Sequence, residues 1–395
     1  MSKLDELITK LCPDGVELRT LWSLTAWDKK FTGVDRKMQQ KVIPYKYYLS
    51  SEFDKVERED GDVLYIATGI SGKNRYTTEE LAGDYLSEGE IVCIPWGGTP
   101  NVKYYKGKFV TGDNRIATSL DISILDNKYL YYWMQSKIAL IGSFYRGSGI
   151  QHPSMKNVLE MIIPVPPLEV QHEIVRMLDN FTFLTAELTA ELTAELTARK
   201  KQYEYYRNEF IYRDENIPKV SLGNICDVVV GGEAPDDCIK GIIPDEKHPY
   251  AIWANGQDVY GYGTSYTVDS DSVCISSIGA NTGNVFYHKG KFTPIIRLKV
   301  LVPKVDYVDN RYLFHAVSTV DFAPKKSSVP NMSAADIKKV IIPLPALKRQ
   351  QQISAILDKF SILCDNIENE LPAEIVARQK QYEYYRDKLL TFKEA

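Results

Sequence analysis

The side chains best suited to do chemistry sit in polar, glycine-rich loops and are mostly cations and amides. Lys73, Asn74 and Arg75 follow Thr68-Gly69-Ile70-Ser71-Gly72, and Thr99, Asn101 and Lys103 follow Trp96-Gly97-Gly98. Arg115, Arg146 and Gln151 lie further along the same half. The other half offers Asn255, Ser277, Asn281, Thr282 and the pair Lys325-Lys326. Lysine and arginine anchor phosphates; Asn and Gln match the edge of adenine, and Arg and Lys that of guanine. As a set these residues suit the reading of a nucleic acid. Each one alone is what any solvated loop carries.

Catalytic patterns do not appear beside them. The Asn-Pro-Pro-[Tyr/Phe] signature of adenine methyltransferases is absent, and Gly69-Ile70-Ser71-Gly72-Lys73 lacks the spacing of a phosphate-binding loop. Pro244-Asp245-Glu246-Lys247 has the letters of a nuclease motif, but four contiguous residues cannot hold a metal between separate strands. Six scattered cysteines form no CxxC pair, and five histidines complete no zinc spacing. No catalytic residue, no metal site and no cofactor is expected on this chain.

Larger elements must position the loops. Lys201-Gln202-Tyr203-Glu204-Tyr205-Tyr206-Arg207 recurs 179 residues later as Lys380 to Arg386. The same offset carries Ile162-Ile163-Pro164-Val165-Pro166 onto Ile341 to Pro345, Gln171 onto Gln350 and Asp179 onto Asp358. About 50 residues, 158–211 and 336–390, are thus duplicated without a gap. Each copy reads as a long helix behind a proline-rich, strand-like lead-in. Ile353, Leu357, Phe360, Cys364, Ile367 and Leu371 make an apolar stripe facing a partner, and Pro372 is expected to kink or divide the second helix. Antiparallel packing of the two helices, with pseudo-twofold symmetry, is the preferred arrangement.

The first copy contains Thr185-Ala186-Glu187-Leu188 and two further repeats of it, through Leu196. Its leucines drift around a helix, and its glutamates repel at four-residue spacing. One unit changes the helix length by roughly 6 Å. The segment is either a passive spacer or a ruler between domains.

The predicted architecture is α+β: mixed α/β domains at 1–157 and 212–335, and helical regions at 158–211 and 336–395. Strands are expected at Asp62–Ala67 and Glu90–Ile94, and a helix from Tyr129 to Ile141. The chain has 395 residues, 44% hydrophobic and 25% charged, enough for more than one core. Its net charge of −4 argues against binding nucleic acid through bulk charge. No signal peptide or long apolar run occurs, so a cytoplasmic protein with no membrane association is expected.

The duplicated blocks, the Ile163 to Gln171 lead-in and the Thr-Ala-Glu-Leu repeats resemble the specificity subunit of type I restriction–modification systems, particularly the IC group. The resemblance implies two target-recognition domains, each reading one half of a split, asymmetric site in double-stranded DNA, with the helices setting the spacer. It implies two modification subunits, carrying S-adenosylmethionine and methylating adenine N6, and restriction subunits that bring ATP and Mg2+. Tyr203, Tyr205, Tyr206, Arg207, Tyr382, Tyr384, Tyr385 and Arg386 are candidates for docking those subunits, or alternatively for the helix–helix core. No DNA-contacting residue is carried over from the family. The rival readings are a non-DNA scaffold of two ligand-binding domains and an enzyme with an unrecognised active site.

Overall fold

Short runs of β-branched and aromatic residues bounded by glycines build the sheets. The computed structural model describes residues 2–395 except 40, 71, 242, 280 and 323–331, and the side chains at 367 and 369 are also left aside. Helix α1 (Lys3–Leu11) and strand β1 (Glu17–Thr20) come first. The first domain then contributes β2 (Thr25–Trp27), β3 (Val63–Ile66), β4 (Arg75–Thr77), β5 (Ser87–Pro95), β6 (Lys103–Thr111) and β7 (Asn114–Ser119). They form one mixed sheet in the order β2-β7-β5-β6-β3-β4. Its central strands are buried: Ile91, Val92, Cys93, Ile94, Phe109 and Val110 are at most 1% exposed.

Helix α2 (Asn127–Ser136) packs on this sheet, capped by Asp126, whose carboxylate accepts the Tyr129 amide. The helix expected from Tyr129 to Ile141 is two, since Lys137 leaves the helical range before Ile138–Ser143 begins. Strand β8 (Ile162–Val165) pairs antiparallel with β1, and the prolines at 166 and 167 end it. Helix α3 (Leu168–Tyr212) follows, 45 residues long or about 68 Å.

The second half repeats the plan with a smaller sheet. Strand β9 (Lys219–Ser221) leads to β10 (Cys226–Val230), β11 (Tyr250–Trp253), β12 (Val259–Gly263), β13 (Ser272–Ile275), β14 (Val285–His288), β15 (Phe292–Pro294) and β16 (Lys299–Pro303). One sheet runs β10-β16-β13-β14, and β12-β11-β15 forms another. Helix α4 (Asn310–Val317) is capped by Asp309 as α2 is by Asp126. Strand β17 (Ile341–Pro343) pairs with β9 and feeds α5 (Leu347–Leu389), 43 residues long. Pro372 lies inside α5, which continues through it, so the expected division does not occur.

The contacts define two units, 1–190 with 374–395, and 191–373. Each unit therefore holds one sheet domain and a part of both long helices. In the second unit the helix parts run antiparallel: Tyr206 stacks on Phe360 and Lys200 pairs with Glu368. In the first, Phe181 stacks on Tyr385. The stripe on α5 starts as domain core, with Ile353 and Leu357 packed among Ile211, Tyr312 and Ile342; Phe360 meets the partner helix, and the side chain of Ile367 lies outside those described. Burying such side chains contributes ~1.5–3 kcal/mol each.

The Thr-Ala-Glu-Leu repeats lie within α3. Their leucines are half-buried, and Thr185 and Thr197 return their hydroxyls to the carbonyls four residues back. Among the described residues no helix is long and apolar enough to cross a membrane.

Candidate nucleic-acid interface

The β3–β4 and β5–β6 connections meet over a cleft of about 740 Å³ in the first unit, which brings together Lys73, Asn74, Arg75 and Lys103. They do not act alike. Lys73 and Asn74 are exposed in the cleft. Arg75 is held by Glu57, Asp54 and Ser50, and its guanidinium covers the rings of Phe53 and Tyr65. Lys103 turns its ammonium onto the carbonyls of Ala67 and Gly69, and burial holds it below the usual lysine range. Asn101 is buried and donates to the carbonyls of Thr68 and Thr99, 3.0 Å each. Arg75, Asn101 and Lys103 thus build the loops. Thr99 is exposed at the tip of its loop.

Arg115 corrects a sequence expectation outright. It is 1% exposed, and its guanidinium binds Asp28 at 2.8 Å, Asp113, and the face of Trp96. Its counter-charge comes from 87 residues away and closes the β2–β7 edge. No part of it is available to DNA.

Arg146 ends a short strand paired with His152–Pro153 and Gln151 lies in the turn between them; both are exposed, and the turn docks against the Trp96 loop, where the Gly98 amide donates to the Gln151 carbonyl. A Cβ at Gly97 would sit 2.8 Å from the Ile150 side chain, so Ile150 would have to shift to admit any larger residue. Beside it lies a pocket the sequence did not announce, lined by Lys29, Lys30 and Lys156 around Trp96. All three lysines are exposed, and none pairs with a described carboxylate. The signal was present as Asp28-Lys29-Lys30, but Lys156 joins it only in the fold.

In the second unit, Asn255 is a clamp. Its amide donates to the Ile296 carbonyl and accepts from the Ser277 amide at 2.9 Å and the Ser276 hydroxyl at 3.2 Å. Ser277 is fully buried and donates to the Arg297 carbonyl, and Thr282 turns onto Gly279. These residues shape loops and present little to a groove. Asn281 is exposed, with its amide on the Asn255 carbonyl. Lys325 and Lys326 lie outside the described residues. The clamp instead displays Arg297. Ile296 and Arg297 have φ of 50° and 60°, a left-handed conformation that costs non-glycine residues on the order of 1 kcal/mol each. Arg297 is exposed there, and sequence spacing gave no sign of the strain.

The tyrosine blocks divide by face. Tyr203 donates to His315 Nδ1, Tyr206 stacks on Phe360, and Arg207 lies over Tyr203. Tyr382 packs on the first domain's core, Tyr385 stacks on Phe181, and Arg386 is buried beside Asp387. Tyr205 and Tyr384 point outward, 61% and 64% exposed. The blocks thus supply helix and domain core through most of their aromatic side chains and leave Tyr205 and Tyr384 on the surface. Among the described residues no group of His, Cys, Asp and Glu is arranged for a metal ion.

Comparison with known proteins accounts for this layout. The sequence model of the family described as "Type I restriction modification DNA specificity domain" matches residues 46–198 and again 214–377. A Mycoplasma pneumoniae protein named as a type I specificity subunit is 32% identical over 334 residues, covering 80% of this chain and 96% of that one. The specificity subunit of the Escherichia coli restriction enzyme EcoR124I/EcoR124II is 32% identical over 312 residues, covering 70% of this chain and 74% of its own. A chain from a structural study of type I restriction–modification complex assembly shares the fold, with a TM-score of 0.67 at 16% identity, covering 96% of this chain and 98% of that one. Nothing in these comparisons supports a non-DNA scaffold. With two matched domains, each joined to one copy of a duplicated helix, the chain belongs to the family of DNA-specificity subunits of type I restriction–modification systems.

Proposed function

We propose that this specificity subunit reads a split, asymmetric DNA site, one half with each sheet domain, and directs N6-methylation of one adenine per half-site by partner subunits. The observation that carries the reading is the pairing of two unlike loop sets with two like supports. The joints of the supports repeat, Gln171 and Gln350 making the same hydrogen bonds, while the sheets and loops over them differ in strand number and order. A reader of two different half-sites needs that division: constant placement, variable surface. Lys29, Lys30, Lys156 and Lys73 supply phosphate anchors in the first domain, and Arg297 in the second.

The chain itself does no chemistry in this reading. S-adenosylmethionine sits on the modification subunits, whose chemistry requires the adenine to be flipped from the stack. Restriction subunits add ATP-driven cleavage. Two modification subunits are favoured because each unit exposes the same set of apolar positions. Ile162, Phe183, Leu184 and Tyr384 stand out in the first unit, and Ile341, Ile362, Leu363 and Tyr205 in the second. The same exposed apolar positions in both units suit two copies of one partner.

Selection from random-sequence duplexes, using the chain together with its modification subunit, tests the reading. Recovery of one bipartite motif with a fixed gap is expected; recovery of a single contiguous motif, or of none from an assembled complex, would overturn it.

A further inference from the structure

The turn that joins β15 to β16 in the second unit, Ile295-Ile296-Arg297-Leu298, is built against its own residue types. Ile296 and Arg297, with φ of 50° and 60°, are the two non-glycine residues of positive φ among those described. The Leu298 amide closes the turn on the Ile295 carbonyl at 3.1 Å. Two left-handed residues in such a turn call for Asn-Gly, and a β-branched residue is the worst choice for the first of them. Ile296 stands there nonetheless, 43% exposed, beside the exposed Arg297.

The fold braces this conformation from several segments. The Ile296 amide donates to the Gly232 carbonyl at 2.7 Å, and the Arg297 amide to that of Gly231 at 3.0 Å. Asn255 bonds the Ile296 carbonyl, while Ser277 and Lys299 bond the Arg297 carbonyl at 2.7 and 3.0 Å. A Cβ on Gly231 would sit 2.8 Å from the Ile295 backbone, so only glycine lets the end of β10 approach so closely. Strain that its surroundings over-determine in this way clusters at ligand clamps and other working parts of proteins. Here it holds out to solvent one branched apolar side chain and one guanidinium.

The first domain has the same place in its sheet with the opposite charge. Cys93 on β5 faces Ile116 on β7, and Cys274 on β13 faces Val300 on β16, so Arg115 corresponds to Lys299 and Asp113 to Arg297. Asp28, whose amide donates to the Ile116 carbonyl, corresponds to Val229, which faces Val300. Arg115 is held between those two carboxylates. Lys299 is 4% exposed, and its ammonium rests on the Arg297 carbonyl with no carboxylate paired to it among the described residues. Burial, and after it the charge of Arg297, holds that ammonium below the usual lysine range. Where the first domain has two carboxylates the second has valine and arginine, and where the first has Gly112 the second has Ile296. The result is a cationic tip that carries an apolar side chain.

We propose that this turn is a wedge for double-stranded DNA: Ile296 enters between two base pairs of the half-site read by the second domain and unstacks them, and Arg297 pairs with a phosphate beside that step. Isoleucine is among the apolar side chains that unstack a base step and kink the duplex, and a cationic tip is drawn to the phosphates that flank it. A duplex, with charged edges and apolar base faces, matches both parts of the tip. Gly112 and Asp113 give the first domain no such element, so the deformation falls in one half-site only. The inference rests on the DNA-reading role proposed above.

The test uses the full chain bound to its modification subunit, and duplexes carrying the bipartite motif recovered by selection, with 2-aminopurine placed at one position at a time. Apart from the adenines flipped for methylation, one step in a single half-site should brighten severalfold at saturating complex. Ile296→Asn suits the left-handed backbone and removes the wedge. It should raise the melting temperature by about 2 °C and return that step to the level of free duplex. Ile296→Leu keeps an apolar side chain and should keep the brightening. The signal of the flipped adenines should be the same in all three proteins. Brightening confined to the flipped adenines, or a second step that stays bright with Ile296→Asn, would overturn the wedge while leaving the DNA-reading role intact. Loss of motif binding by Ile296→Asn would also overturn it, by making Ile296 a reading contact. A wild-type complex that selects no motif would count against the DNA-reading role itself.

Discussion

Gln171 and Gln350, 179 positions apart, make the same three hydrogen bonds. Gln171 accepts the Asp126 amide and donates to the carbonyls of Ile124 and Pro166; Gln350 accepts the Asp309 amide and donates to those of Tyr307 and Pro345. Each fully buried carboxamide ties the cap of a domain helix to the proline lead-in of a long helix. The joint fixes how each sheet domain leaves its long helix, which a reader of spaced half-sites must hold constant. Gln171→Leu and Gln350→Leu each strand one N–H and two carbonyls, and each should cost about 2–4 kcal/mol. Urea unfolding of the two variants should give losses that agree within about 1 kcal/mol.

His315 gives the second unit a pH dependence that the first lacks. Its Nε2–H donates to Asp358 and its Nδ1 accepts from Tyr203, while the matching place beside Asp179 is held by Tyr132. Burial pushes His315 down to about 4, against the pull of Asp358. The unfolded chain takes up this proton near pH 6.5 and the folded chain only near 4. Stability is therefore lost as pH falls from 6.5 to 4, by about 3 kcal/mol for this group. His315→Tyr should flatten that part of the profile, measured as the urea midpoint between pH 7 and 4.5. An unchanged slope would show that other groups carry it.

Arg297 should separate stability from binding. Arg297→Gly relieves a left-handed residue and should stabilise the chain by about 0.5–1 kcal/mol. The same change removes an exposed cation and should weaken DNA binding. Thermal melting and duplex titration on one preparation check both signs; a fall in both would mean that the arginine is structural.

The lysine pocket is tested by salt. Replacing Lys29, Lys30 and Lys156 with alanine should lower duplex affinity evenly across sequences and reduce the salt slope by nearly one per lysine in phosphate contact. Arg115→Ala should instead unfold the first domain, because Asp28 would be left buried and unpaired, at about 3–5 kcal/mol.

The duplicated supports were legible in the sequence because they are made of short-range pattern. The offset of 179, the proline lead-ins and the helical stripe each survive as strings of residue types. The site was far less legible. Arg115 and Arg146 look alike in a loop list, yet one is sealed by Asp28 from 87 residues away and the other faces solvent. Asn101, Asn255 and Ser277 have the side chains that read base edges, but loops need the same groups to bond their own carbonyls. Pro372 inside α5 shows the same limit in reverse. A local rule predicted a kink or a division, and the helix is not divided.

The repeats on α3 yield a mechanical expectation. Deleting Thr189 to Leu192 shortens the helix by about 6 Å, close to two base pairs of axial rise. The spacer of the methylated motif should shorten while both half-sites keep their sequences, as read from modified-base sequencing. An unchanged spacer would make the repeats a passive linker.

The most direct measurement is a genome-wide map of modified bases in cells expressing this chain with its modification subunit, set against cells that lack only this chain. The expected result is a split motif, methylated at adenine on both strands, present in the first cells and absent from the second. An identical map in both, with the two proteins expressed and bound to each other, would contradict the assignment of sequence specificity to this chain.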